Sequence, residues 1–256
     1  MAGRTRIVLL LIAAALWLVP VAGRADGASD SPPPGVRAEN PDRRDERLAS
    51  EPPQGPAPRG EATGAGPPGS FDFYVLALSW SPGFCDSGGA AKAPEQCGAG
   101  AALGFVVHGL WPQFEHGYPS DCDPDRPVSR IALRQADGLF PSEGLARHEW
   151  RKHGTCTGLG PEAFFASVRR ARESIAIPAA FAAPRAALSV SPADVARAFA
   201  AVNPGLRPDA MAIGCAGGEL AEVRLCLSRD LRQFVSCPEV ARATCRAGSI
   251  AVAPVL

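Results

Sequence analysis

The sequence predicts an α+β domain, and three features carry that class. Aromatic and β-branched residues crowd into short stretches that read as buried strands. Other segments carry helix caps and helical apolar spacing. The two kinds of element alternate without a regular βαβ rhythm, which argues against a doubly wound parallel sheet. A chain of 256 residues, 46% hydrophobic, suits one packed domain once its tails are set aside.

The chain opens on "MAGRTRIVLLLIAAALWLVPVAGRADG": two arginines, an apolar run from Ile7 to Val19, then small residues. That layout predicts a secretory signal peptide over residues 1–25, with cleavage after Ala25. The run is shorter than the roughly 20 residues that span a bilayer, so no membrane anchor is expected after cleavage and the mature protein should be secreted or periplasmic. Residues 26–70 are rich in Pro, Gly, Ala and mixed charge and hold no aromatic residue. Too little apolar area is available there to offset the entropy of ordering, so the segment reads as a disordered linker. Residues 71–256 form the expected domain.

Within it, "FDFYVLALSW" reads as a strand buried on both faces, and "LGFVVHGLWP" as a second strand ended by Gly109 and Pro112. The intervening "SPGFCDSGGAAKAPEQC" reads as a loop that a Cys85–Cys97 bridge could close. "FPSEGLARHEWRKHG" has Ser142 as an N-cap and Gly154 as a stop, which predicts a helix. Pro161 opens a further helix, "GPEAFFASVRRARESI", and "SPADVARAFAAV" makes a third, capped by Ser191 with Pro192 at its first position. "AMAIGC" and "ELAEVRLCLS" alternate as strands do.

Formal net charge is zero, so no global field draws the chain to nucleic acid or acidic membranes; a polyanion must be met by a local site. All eight cysteines follow the expected cleavage point. In an exported chain that even count implies a disulfide framework, and the absence of any CxxC pair weakens zinc and thioredoxin-like readings.

The densest chemistry is "HEWRKHGTC", residues 148–156. At about 100° per residue, Glu149, Lys152 and His153 share an arc of roughly 100° and His148 widens it to roughly 140°. Trp150 falls outside the arc and is expected in the core. A zinc protease would need HExxH, with ligands four apart; His148 and His153 are five apart and diverge. Alone, this pattern also suits an exposed charged helix with internal ion pairs. His108, at the expected strand end in "VVHGLWP", shifts the balance, because it can supply a second proton-transfer group from a separate element. His116 is expected in an exposed loop, and Trp80, Phe164 and Phe165 in the core.

"FVVHGLWPQ" and "HEWRKHGTC", in that order and about 40 residues apart, resemble the two active-site segments of the ribonuclease T2 family. The resemblance runs from Phe71 to the C-terminus and is strongest up to "HGTC". It implies an α+β fold with an antiparallel sheet flanked by helices. It further implies a secreted endoribonuclease that cleaves single-stranded RNA through a 2′,3′-cyclic phosphate to 3′-phosphate ends, needs no metal or other cofactor, and leaves DNA uncut. His108 then matches the general acid, His153 the general base, Glu149 and Lys152 the groups that steady the phosphorane, and His148 a phosphate contact. Trp111 matches an aromatic near the first base site, and Tyr118 is a second stacking candidate. Gln113 stands where some relatives carry a base-selecting acid, so their preference does not carry over; Leu145, which cannot stack, stands where relatives can have phenylalanine, and a broad or weak preference is expected at that subsite. The same resemblance implies bridges Cys122–Cys156 and a nested Cys215–Cys245 around Cys226–Cys237, leaving Cys85–Cys97. A monomer is expected. The competing readings are a catalytically silent RNA- or protein-binding module of the same fold, and a disulfide-rich structural module in which the histidines are incidental.

Overall fold

The computed structural model describes residues 66–255. The expected signal peptide and the expected linker up to residue 65 lie outside the described residues. Residues 66–70 pack on the domain: the Gly69 amide donates to the Cys156 carbonyl at 2.8 Å, and Arg229 donates to the Gly69 carbonyl at 3.0 Å.

Among the described residues the core is a six-stranded sheet in the order β2-β1-β5-β6-β3, with β4 also on β5. Its strands are β1 (Phe73–Trp80), β2 (Phe105–Gln113), β3 (Leu188–Val190), β4 (Met211–Ala216), β5 (Glu219–Leu227) and β6 (Ile250–Val252). Pairing is antiparallel apart from the Glu219–Ala251 contact between β5 and β6, which is parallel.

Every residue of β1 is buried, as its unbroken apolar run predicts. Tyr74, Leu76, Leu78 and Trp80 face the main core with Trp150, Phe164, Phe165 and Phe199, while Phe73, Val75 and Ala77 face a smaller cluster with Trp111, Cys226 and Val240. Side chains of a strand alternate between faces, so covering both requires apolar residues at consecutive positions.

The segment expected as a loop after β1 instead winds into α1 (Ser81–Asp86), a 3-10 turn and α2 (Pro94–Cys97). A proline in the first turn of each short helix supplies a preset φ that the loop reading overlooked. Strand β2 also runs further than expected, through Gly109 and Pro112 to Gln113. It is an edge strand, where proline is tolerated because one side of its backbone needs no ladder partner.

Helix α3 (Arg130–Ala136), which the sequence reading omitted, is capped by Ser129, whose hydroxyl accepts from the Ala132 amide at 3.0 Å. Helix α4 (Glu143–Lys152) is capped by Ser142 as expected, its hydroxyl accepting from the Leu145 amide at 3.2 Å. It ends one residue before His153, which is the C-cap in a non-helical conformation. Gly154 therefore is not the stop. It opens a 3-10 turn where a Cβ would lie 2.5 Å from the Trp150 ring. Helices α5 (Pro161–Glu173), α6 (Ala179–Ala182), α7 (Pro192–Val202) and α8 (Pro238–Ala241) follow. Ser191 and Asp194 form a full capping box at the start of α7.

Four disulfides join Cys85 to Cys97, Cys122 to Cys156, Cys215 to Cys245 and Cys226 to Cys237, the pairs that the resemblance implies. Among the described residues, no helix is long and apolar enough to cross a membrane.

Candidate active site

His108 is not at a strand end. It sits inside β2 at a register break, where Ala77 pairs with Gly109 and Leu78 with Val107, so His108 has no partner position on β1. Such a bulge changes the phase of alternation and re-aims a side chain. Here it sends both Val107 and Leu110 into the main core, and brings His108 to the side of the sheet that carries Trp111. The imidazole meets the indole edge-on with centroids 5.2 Å apart.

Trp111 joins the two expected catalytic segments. Its ring also lies 5.4 Å from that of His153, and its Nε1–H donates to Glu149 Oε2 at 2.8 Å. The indole is 7% exposed, so it is largely covered. Glu149 is 1% exposed, and its carboxylate reaches β2 because residue 109 is glycine: a Cβ there would fall 2.1 Å from both Glu149 Oε2 and Trp111 Nε1. Gly109 thus serves a close approach, a role for which its position in the sequence gave no sign.

His153 is 5% exposed, and its amide donates to the Glu149 carbonyl at 3.0 Å. Burial, then the charges of Lys152, His148 and His108, hold its pKa well below the ordinary 6.5, so the ring is neutral at neutral pH. Its Nδ1 is buried and has no hydrogen-bond partner among the described residues. Lys152 and His148 are half-buried beside it. The Lys152 carbonyl accepts from the Asp121 amide at 2.8 Å, next to the Cys122–Cys156 bridge, which ties the segment after β2 to the end of α4.

The opposite environment surrounds His108. Its Nδ1 lies 2.7 Å from Glu222 Oε1, and the other Glu222 oxygen accepts from Arg224 Nε at 2.5 Å. Burial pushes the Glu222 carboxyl up, but the Arg224 charge and then the bond and charge of His108 outweigh it, holding the pKa at about 2. Arg224 also lies over the Trp111 ring, 5.3 Å from its centroid. Neither Glu222 nor Arg224 was singled out from the sequence. An acid and a base two apart in "ELAEVRLCLS" read by default as the wet face of a strand.

The structure therefore brings together His108, Trp111, Glu149 and His153, with Lys152 and His148 at the margin. Tyr118, in the segment after β2, and Leu145, on the first turn of α4, are half-buried and stand outside these contacts. The buried Gln113 amide is committed to its own loop, donating to the Gly117 carbonyl at 3.0 Å. His116 is exposed, with Nδ1 3.3 Å from Glu239.

Two imidazoles from separate elements, one neutral and one bonded to a carboxylate, with an acid and an ammonium between them in sequence, are groups that can take up and release protons. Residues 71–237 match the ribonuclease T2 family, and the chain belongs to that family. A ribonuclease of Aeromonas hydrophila is 48% identical over 99 residues, 39% of this chain and 44% of the relative, so the chain spans less than half the length of that protein. Ribonuclease DdI of Dictyostelium discoideum is 29% identical over 200 residues, 72% of this chain and 85% of the relative. Among solved structures, an RNase-related protein from Calystegia sepium superposes with a TM-score of 0.55 at 19% identity, covering 73% of this chain and 99% of that one. A mutant of RNase MC1 in complex with 5′-UMP gives 0.53 at 23% identity, covering 66% and 93%. These two structures share the fold.

Proposed function

We propose that the protein is an exported, monomeric endoribonuclease that cleaves single-stranded RNA by transphosphorylation, forming a 2′,3′-cyclic phosphate and then a 3′-phosphate. The observation that carries this reading is that a neutral His153 and a carboxylate-bonded His108 both pack against one indole, Trp111. A buried neutral imidazole is a competent base at neutral pH, and one hydrogen-bonded to a carboxylate is a competent acid.

In the first step His153 takes the proton of the ribose 2′-OH, O2′ bonds to phosphorus, and the bond from phosphorus to O5′ breaks as His108 protonates the leaving oxygen. In the second step the roles reverse: His108 takes a proton from water, the water oxygen bonds to phosphorus, and the bond from phosphorus to O2′ breaks as His153 returns a proton to O2′. Lys152 meets the charge that grows on the phosphoryl oxygens, and Glu149, held by Trp111, faces the same phosphorane. His148 adds a phosphate contact. Trp111, Tyr118 and Leu145 border the base sites, and the covered indole at 111 and the aliphatic side chain at 145 favour a broad base preference. Export follows from the N-terminal sequence; relatives named extracellular ribonuclease LE and intracellular ribonuclease LX both match, so family membership alone leaves location open.

The test is product analysis on RNA in the presence of chelator. Oligonucleotides ending in 2′,3′-cyclic phosphate should appear first and 3′-phosphates later, with DNA untouched because it lacks the nucleophile. Products ending in 5′-phosphate, or activity abolished by EDTA, contradict the mechanism. RNA retained without cleavage would favour a silent binding module.

A further inference from the structure

Glu222 is buried at the heart of the site and has no part in the reaction just described. We propose that Glu222 is the positioning residue of the general-acid histidine: it accepts the Nδ1–H of His108 and so turns Nε2–H toward the leaving oxygen. The inference rests on the assignment of His108 as the acid.

Geometry supports it from four sides. His108 and Glu222 are 4% and 7% exposed, and their 2.7 Å contact joins β2 to β5 across β1. The Glu222 backbone is fixed between Ser79 of β1 and Gly214 of β4, so the carboxylate has little freedom to follow the ring if it turns. Arg224 occupies its second oxygen and lies over Trp111, which in turn meets the His108 ring edge-on. The four side chains close a circuit in which each touches two others.

The donor in the 2.7 Å contact is decided by charge. An ionised carboxylate only accepts, so with Glu222 ionised the hydrogen must sit on His108 Nδ1. A neutral ring is then the Nδ1–H tautomer, which carries its lone pair on Nε2, and a protonated ring that keeps its Nδ1–H on the carboxylate gives up the proton on Nε2. The buried carboxylate also favours the cation. Opposing charges come from Arg224 on β5 and from Lys152 and His148 at the end of α4, where His153 is neutral. Glu149 on α4 adds a second carboxylate, while β1 offers the uncharged Ala77 and Ser79.

Glu222→Gln keeps the shape and removes the charge. It should lower kcat by roughly tenfold or more while KM changes little, and should move the alkaline limb of the pH–rate profile to lower pH. Glu222→Asp should recover part of the loss. In the unmodified protein, imidazole ¹⁵N shifts should report the Nδ1–H tautomer for neutral His108, a readout independent of whether any variant folds. An Nε2–H tautomer overturns the proposal. So does an unchanged alkaline limb in folded Glu222→Gln, provided the unmodified enzyme forms cyclic phosphate and His108→Ala does not. If the unmodified enzyme forms no cyclic phosphate, the assignment of the acid fails, and the role of Glu222 falls with it.

Discussion

At the scale of single residues, the site depends on two departures from regular geometry. The bulge that frees His108 from the β1 ladder turns it toward Trp111, and the missing side chain at Gly109 lets Glu149 reach the same indole. Gly109→Ala should push Glu149 away and cut kcat by about tenfold or more with little effect on substrate affinity, as measured by steady-state kinetics on a dinucleotide. Lys152→Met should have two separable effects. Removing a charge that depresses His153 moves the acid limb of the pH–rate profile to higher pH, and losing the cation lowers kcat at the plateau. An acid limb that stays in place would refute the charge argument for His153. The residue types of this site were legible in sequence because imidazoles, an acid and an ammonium were concentrated in two short segments. Glu222 and Arg224 were not, because nothing local distinguishes a buried ion pair on a strand from an exposed one.

The secondary-structure elements were legible where local rules dominate. Ser142 and Ser191 cap helices where expected, and β1 is buried on both faces as its composition requires. Elsewhere, context overrides local signals. Gly109 and Pro112 resemble strand breakers, yet a bulge accommodates the first and an edge position the second. The bend of the catalytic segment out of α4 at His153 was also invisible, since it depends on Trp150 and Phe164 packing against Gly154. The Cys122–Cys156 bridge secures that bend. Replacing both cysteines by serine should cost about 2–4 kcal/mol in denaturant unfolding, and should reduce kcat more than removal of the remote Cys85–Cys97 bridge does. Equal kinetic effects of the two deletions would deny the first bridge any special hold on the site.

For the whole molecule, burying these ionisable groups links stability to pH. His153 in the fold resists protonation that the unfolded chain accepts near 6.5, so the folded form binds fewer protons below that pH and loses stability as pH falls. Glu222, held at about 2 against an ordinary 4.5, contributes stability that is complete above 4.5 and disappears as pH drops toward 2. Urea midpoints measured across this range should therefore decline in two stages. His153→Gln should flatten the upper stage and Glu222→Gln the lower; midpoints independent of pH below 6.5 would contradict both assignments.

The central claim is that His153 and His108 act on one phosphodiester as base and acid respectively. Single-turnover cleavage of a substrate with sulfur in place of the bridging 5′ oxygen tests it directly, because a thiolate leaves without being protonated. With this substrate His108→Ala should regain nearly the rate of the unmodified enzyme while His153→Ala remains slow. Rescue of His153→Ala instead, or equal behaviour of the two variants, would contradict the account.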